Sequence, residues 1–328
     1  MPIVSARELT KHYQVADKAP GLIGTLKHFL KRKYRTIEAV KGISFEIEPG
    51  EVVGFLGPNG AGKTTALKVL TGLVHPTAGQ VEVLGYTPFK RHRDFLKQIT
   101  LVMGQKQQLI WDLPAMDSLR INAAVYDIPQ KEFKKRLGEL REMLSLDEKE
   151  LTQPVRKLSL GQRMKAEFMA AMLHQPKVLF LDEPTLGLDV NAQTAVRDFL
   201  RGYNEKHQAA ILLTSHYMAD ITALCQRVLL IHEGKLMYDG SLNRLVDQFS
   251  PFREVKLELA AEVSSEQLKS FGEVEWVEGR MARLIIRREE LTATIGRLLD
   301  QLEVKDLTIT DPPIEEIISR IFSKGTVD

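Results

Sequence analysis

The chain has 328 residues, 45 Lys and Arg against 43 Asp and Glu, 44% hydrophobic residues and one cysteine. That length exceeds one ordinary domain, and the apolar and charged shares exclude wholesale disorder. One cysteine excludes a disulfide framework and a Cys-rich zinc site, and a net charge of +2 argues against a dedicated nucleic-acid binder. In chain order, Ile3–Arg7, Ala39–Ile47 and Glu51–Leu56 are short β-rich runs. Residues 15–36 read as an insertion between the first two. It carries Lys18, Lys27, Lys31, Arg32, Lys33 and Arg35, with no acid from 18 to 35. Leu22, Ile23, Leu26, Phe29 and Leu30 recur there at helical spacing, which suggests a basic amphipathic helix. Such a helix would lie on anionic lipid, dock on a membrane partner, or pack its stripe on its own domain.

Next, helical stretches alternate with the buried-type strands Val81–Leu84, Thr100–Met103, Val178–Leu181, Ile211–Thr214 and Val228–Ile231. Continuous apolar runs of this kind predict a largely parallel sheet covered on both faces. Residues 106–158, including the charged helical pattern Lys131–Leu144, read as a helical insertion between two of its strands. After about residue 250 the rhythm changes to strand Arg253–Leu259, helix Ser265–Phe271, strands Val274–Val277 and Arg283–Arg287, helix Glu289–Leu302, strand Leu307–Thr310 and a helix begun at Pro313. That βαββαβ order is the split-βαβ, ferredoxin-like pattern, so the expected domains are 1–248 and a small α+β unit at 249–328. The apolar runs fall well short of the ~20 residues of a membrane-spanning helix, and Met1–Arg7 lacks the pattern of a secretory signal. The expectation is a cytosolic chain, or one held at a membrane by a partner. Cys225 reads as a small buried apolar residue in a helical stretch before Val228.

Gly57-Pro58-Asn59-Gly60-Ala61-Gly62-Lys63-Thr64-Thr65 follows a predicted strand and opens a predicted helix. This is the G-x-x-x-x-G-K-[ST] pattern in its required context. The glycines let main-chain N–H groups turn inward around phosphate oxygens, and the helix adds its positive end. Lys63 would reach the β- and γ-phosphates, and the Thr64 hydroxyl would ligate Mg²⁺. The apolar run Val178–Leu181 then ends in Asp182 and Glu183, at the edge where open parallel sheets place ligands. Asp182 suits the Mg²⁺ shell, and Glu183 suits a base that polarises the attacking water.

With these residues in order, the sequence resembles the ATPase subunit of an ABC transporter over about residues 3–245. Leu158-Ser159-Leu160-Gly161-Gln162 resembles the family's LSGGQ signature, with Leu160 in place of the usual glycine. The resemblance implies that Ser159, Gly161 and Gln162 close on the γ-phosphate of a partner protomer. Gln105 resembles the Q-loop glutamine that senses metal and water and faces the membrane partner, although Gln107 and Gln108 stand nearby. Leu186–Asp189 resembles the D-loop at the dimer interface, which gives Asp189 a place in the site, and His216 resembles the switch histidine. For the adenine-stacking aromatic, Tyr13 has the better local context and Tyr34 the better spacing to Ala39–Val40. The implied fold is a P-loop NTPase core with a parallel sheet, an antiparallel β subdomain and a helical insertion, plus the small C-terminal domain. The implied activity is ATP hydrolysis with Mg²⁺ in a dimer around two ATP, driving separate permease subunits at the cytoplasmic face of the membrane. The signature, the D-loop and the C-terminal appendage resemble ABC-2-type export ATPases. The alternatives are a soluble ABC-type ATPase acting on another macromolecule, and an ATP-gated binding module. The first usually has two ATPase halves or a long coiled-coil insertion, and Glu183 and His216 speak against the second.

Overall fold

The apolar runs that suggest buried strands assemble into one sheet with the exception of Val81–Leu84, which joins a separate antiparallel sheet. The computed structural model describes residues 1–16, 34–104, 107–215, 217–249, 251–312 and 314–324. The chain divides into two units, Met1–Asp239 and Gly240–Asp328.

The first unit begins with β1 (Val4–Ala16) and β2 (Tyr34–Ile47), then β3 (Val52–Leu56), α1 (Lys63–Leu70), β4 (Ala78–Val83), α2 (Arg93–Leu96) and β5 (Ile99–Met103). Four helices follow: α3 (Ala115–Val125), α4 (Gln130–Leu144), α5 (Glu148–Leu151) and α6 (Leu160–Met172). Then come β6 (Val178–Asp182), α7 (Val190–His207), β7 (Ala210–Thr214), α8 (Met218–Leu224), β8 (Arg227–His232) and β9 (Lys235–Ser241). The central sheet has the order β5-β6-β7-β3-β8-β9. The pairs β5–β6, β6–β7, β7–β3 and β3–β8 are parallel. Val178, Leu179, Phe180 and Leu181 are all buried, as are the five residues of β7, as strands covered on both faces must be. β1, β2 and β4 form a separate antiparallel sheet in the order β2-β1-β4. Phe55, Leu67, Leu70, Phe180, Leu212 and Leu229 belong to one buried cluster that joins the two sheets through α1.

Several expectations change here. The edges of the expected insertion at 15–36 are strand: Gln14 pairs with Thr36, Val15 with Arg35 and Ala16 with Tyr34, so the β1–β2 hairpin extends beyond its sequence signal. The basic amphipathic helix falls largely on residues 17–33, outside the described residues. β9 has no counterpart among the expected strands, since its residues are exposed or half-buried and carry no apolar run. Cys225 is buried but sits in extended conformation at the end of α8, and burial pushes its thiol pKa up, which suits an inert packing residue.

The second unit holds α9 (Leu242–Phe249), β10 (Phe252–Leu259), α10 (Ser265–Leu268), β11 (Glu273–Glu278), β12 (Met281–Arg287), α11 (Leu291–Gln301), β13 (Val304–Thr310) and α12 (Ile314–Lys324). Its sheet runs β11-β12-β10-β13 with every neighbouring pair antiparallel, which is the split-βαβ arrangement. Alternation along β10 and β12 sends Val255, Leu257, Leu259, Ala282, Leu284 and Ile286 to one face, where Leu268 and Leu298 join them. On β10, Glu254 is buried and forms an ion pair with Arg283, whose Nε lies 2.9 Å from Glu275 on the edge strand β11. Glu273, Glu275 and Glu278 are all exposed along that edge. Because α9 packs on α12, the break falls at Asp239–Gly240, ahead of the 248/249 boundary expected from the change in rhythm.

Candidate functional site

β3 delivers the chain into Gly57–Gly62, and α1 starts at Lys63. Lys63 is buried, and its Nζ donates to the carbonyls of Gly57 at 2.5 Å and Pro58 at 3.1 Å. Burial lowers the Lys63 pKa, and the nearby Glu183 and Asp182 carboxylates act against that shift. One residue on, the Thr64 hydroxyl donates to Asp182, 2.9 Å from Oδ2 and 3.1 Å from Oδ1. Two segments 118 positions apart therefore meet through a hydroxyl and a carboxylate. These are hard oxygen donors of the kind Mg²⁺ takes, one or two at a time, with phosphate and water oxygens completing the shell. Among the described residues no cluster of three or more His, Cys, Asp or Glu side chains could hold a metal ion.

Asp182 ends β6, and Glu183 follows with φ 54°. A non-glycine residue in the left-handed region costs about 1–2 kcal/mol and persists only where its surroundings hold it. Thr214, fully buried at the end of β7, supplies that hold. Its hydroxyl donates to Asp182 Oδ1 at 2.9 Å and accepts from the Glu183 N–H at 3.1 Å. One hydroxyl thus sets both carboxylate-bearing residues. Gly104 completes the turn: its N–H donates to the Asp182 carbonyl at 2.9 Å, and a Cβ there would lie 2.2 Å from the Glu183 carbonyl oxygen. Only glycine fits that approach.

Ser159 caps α6, accepting from the Gln162 N–H at 3.2 Å while its own N–H donates to Gln162 Oε1 at 2.9 Å. Gln162 Nε2 also donates to Glu150 at 2.5 Å. Asp189 caps α7 by accepting from the Ala192 N–H at 2.9 Å. The starts of α6 and α7 touch, since a Cβ on Gly161 would lie 3.1 Å from the Ala192 Cβ. Ser159, Leu160, Asp189 and Val190 are all exposed there, so the signature and the segment after β6 share one outward-facing edge. Gln105 and His216 lie outside the described residues.

Beyond the expected residues, the structure adds a buried carboxylate. Asp220 accepts from Thr185 Oγ1 at 2.5 Å, Ser215 Oγ at 2.7 Å and Arg197 Nη1 at 3.2 Å. It thereby ties the segment after Glu183 to the residue before His216. The sequence offers a faint signal for Thr214, a polar residue closing an otherwise apolar strand, and none for Asp220.

Comparison with known proteins fits this geometry. Residues 40–186 match the ABC transporter family model, and 251–310 match the EvrA-like ABC transporter C-terminal domain. The ABC transporter ATP-binding protein NatA of Bacillus subtilis (strain 168) is 33% identical over 215 residues, spanning 66% of this chain and 87% of NatA. The chain belongs to the ABC transporter ATP-binding proteins. The bacitracin transport ATP-binding protein BcrA of Bacillus licheniformis is 28% identical over 302 residues, 91% of this chain and 97% of its own. A solved ATP-binding subunit of an ABC transporter superposes with a TM-score of 0.62 at 26% identity, covering 75% of this chain and 93% of that one. This ABC ATPase accordingly has the α/β P-loop fold, uses ATP with Mg²⁺ and hydrolyses ATP. Among its described residues no helix is long and apolar enough to cross a membrane.

Proposed function

We propose that this ABC ATPase is the motor of an exporter whose membrane-spanning subunits are separate chains, and that it works as a homodimer at the cytoplasmic face of the membrane. The observation that carries the reading is the meeting of Thr64 with Asp182 beside Lys63 and Glu183. In this reading Gly57–Gly62, Lys63 and Thr65 hold the phosphates, while Thr64 and Asp182, with Gln105, hold Mg²⁺. When bound, Mg²⁺ neutralises charge on the phosphates. Glu183 takes a proton from the attacking water, and His216 steadies the γ-phosphate. Ser159 and Asp189 are exposed and Gly161 and Gln162 half-buried at that edge, which suits residues that serve the nucleotide of a second copy; a head-to-tail pair closes with two-fold symmetry. Export is supported by the likeness to a Nod factor export ATP-binding protein, 34% identical over 218 residues, and accords with the likeness over 91% of this chain to BcrA, named for bacitracin transport.

The adenine platform is assigned to Tyr13. Lys41 N–H bonds the Gly234 carbonyl at 2.8 Å, and Gly234 N–H bonds the Ala61 carbonyl at 3.0 Å, so β2 is fastened to the phosphate loop near Lys41. Tyr13 pairs with Ile37, four residues from that point, whereas Tyr34 lies seven residues away at the far end of the hairpin. At ~3.4 Å per residue the second is roughly 10 Å more distant. Tyr13→Ala should therefore weaken ATP binding on the order of ten-fold, and Tyr34→Ala should leave it unchanged. Titration with a fluorescent ATP analogue decides, and the reverse ranking would move the assignment to Tyr34.

The membrane partner is assigned to a groove of about 390 Å³ between α2, β5 and α3. Leu73 and Val125 line it with exposed apolar side chains, and Arg91, Arg93 and Lys97 give it three cations against the single carboxylate of Asp127. That pattern fits a short amphipathic segment of a permease with acidic side chains. Leu73→Glu with Val125→Glu should stop co-isolation of membrane subunits while the isolated chain still hydrolyses ATP. Undiminished co-isolation would remove this groove as the docking site.

A further inference from the structure

Glu167 sits in the middle of α6 with only 6% of its surface exposed, although a glutamate is rarely buried without a compelling partner. Its partners are main-chain groups of the loop after β5. The Gln108 N–H donates to Oε2 at 2.8 Å, and the Leu109 N–H approaches Oε1 at 3.4 Å. A carboxylate that accepts from two successive main-chain donors fixes the path of that loop, because the bonds are charge-assisted and shielded from water. The same loop is held from the other side, where Gln108 Nε2 donates to the Leu101 carbonyl of β5 at 3.3 Å. Further along, the Arg163 guanidinium of α6 lies 5.3 Å over the Trp111 ring, and the Ile110 N–H donates to the buried Ser118 of α3 at 3.1 Å.

The loop therefore bridges two places with different tasks. Gln108 lines the groove assigned above to the membrane partner. The N-terminus of α6, two turns before Glu167, carries Ser159, Gly161 and Gln162. We infer that Glu167 is a positioning residue that locks the loop after β5 onto the signature helix, so that a displacement at the groove is passed to the nucleotide-facing end of α6. This rests on the proposed motor function for its consequence, but the lock itself is a property of the chain alone. Truncating Glu167 would leave the Gln108 and Leu109 N–H groups without their acceptor and allow α6 to move independently of the loop. The phosphate loop stands on β3 and α1, and Glu167 makes no hydrogen bond to it among those described. The loss should accordingly fall on turnover rather than on nucleotide affinity.

The test uses the full chain with Trp276→Phe, which leaves Trp111 as its one tryptophan of two. Glu167→Ala should raise hydrogen exchange at 108–109 and the quenching of Trp111 by acrylamide. It should also lower kcat for ATP on the order of ten-fold with a much smaller change in KM, as expected when a catalytic assembly is mispositioned rather than unbound. Glu167→Gln keeps an acceptor oxygen of the same reach and should restore part of both kcat and the exchange protection. Unchanged exchange at 108–109 would overturn the lock. Equal losses in kcat and KM without rescue by glutamine would reduce Glu167 to a packing residue and overturn its positioning role. If the parent chain itself failed to hydrolyse ATP, the motor function would fall, while exchange and quenching would still decide whether the lock exists.

Discussion

Replacing Glu183 by glutamine is expected to lower ATP hydrolysis by about 10²–10⁴-fold while ATP binding stays intact, the range set by losing a general base. Glutamine has the shape of glutamate, and the turn it would occupy is held through main-chain groups. The Glu183 N–H bonds both the carbonyl and the hydroxyl oxygen of Thr214, each at 3.1 Å, and its own carbonyl is closed over by Gly104. None of these contacts uses the side-chain charge. What the substitution removes is the capacity to take a proton from water beside the γ-phosphate. With hydrolysis stopped, the ATP-closed pair has no chemical route to reopening, so dimers should accumulate when ATP is added. Phosphate release together with light scattering on the eluting species reads both effects. Hydrolysis near the parent rate would remove Glu183 as the base, and monomers in saturating ATP would remove the dimeric closure.

Lys63→Met is the second large effect, and it separates function from stability. Two or three hydrogen bonds from a cation to phosphate oxygens each contribute about 1.5–3 kcal/mol, so ATP affinity should fall on the order of 10²-fold or more. Stability without nucleotide should move the other way. Burial lowers the Lys63 pKa from its ordinary 10.5, so the unfolded chain holds that proton more tightly than the folded one. The charged lysine therefore opposes folding at neutral pH, and the opposition fades as pH rises through the lowered pKa towards 10.5. Methionine fills a similar volume without the charge. The variant should melt no lower than the parent at pH 7, and the gap between them should narrow in alkaline buffer. A lower melting temperature at pH 7 would mean that the bonds to Gly57 and Pro58 outweigh the desolvation of the ammonium.

Much of the site was legible because its chemistry is local in sequence. The phosphate loop is nine consecutive residues that leave a strand and run into the first turn of a helix, and Asp182 and Glu183 close a run of buried apolar residues that could hardly be anything but a central strand. The split-βαβ order of the second unit followed from alternation in β10 and β12, which matches the pleat. What escaped reading is held by long-range polar contacts with no periodic signature. Thr214 earns its place through partners 31 and 32 positions away, and Glu167 through main-chain donors 59 and 58 positions away. The outer part of the β1–β2 hairpin carries no sequence signal because Val15, Tyr34 and Ile37 are exposed, so no buried face marks the pairing. In the second unit, the expected helix Ser265–Phe271 narrows to Ser265–Leu268, a single capped turn.

The glutamates along β11 bear on the working cycle. An open sheet edge is a template for adding a like strand, and a seam of main-chain hydrogen bonds between copies would be slow to part. Glu273 and Glu278, on either side of the Arg283-paired Glu275, set negative charge along that edge, so a second copy approaching it meets its own sign. Two chains drawn together by nucleotide are thereby kept from welding at this margin. A motor that must separate on every turn needs contacts that let go, and this edge is built to refuse the permanent kind.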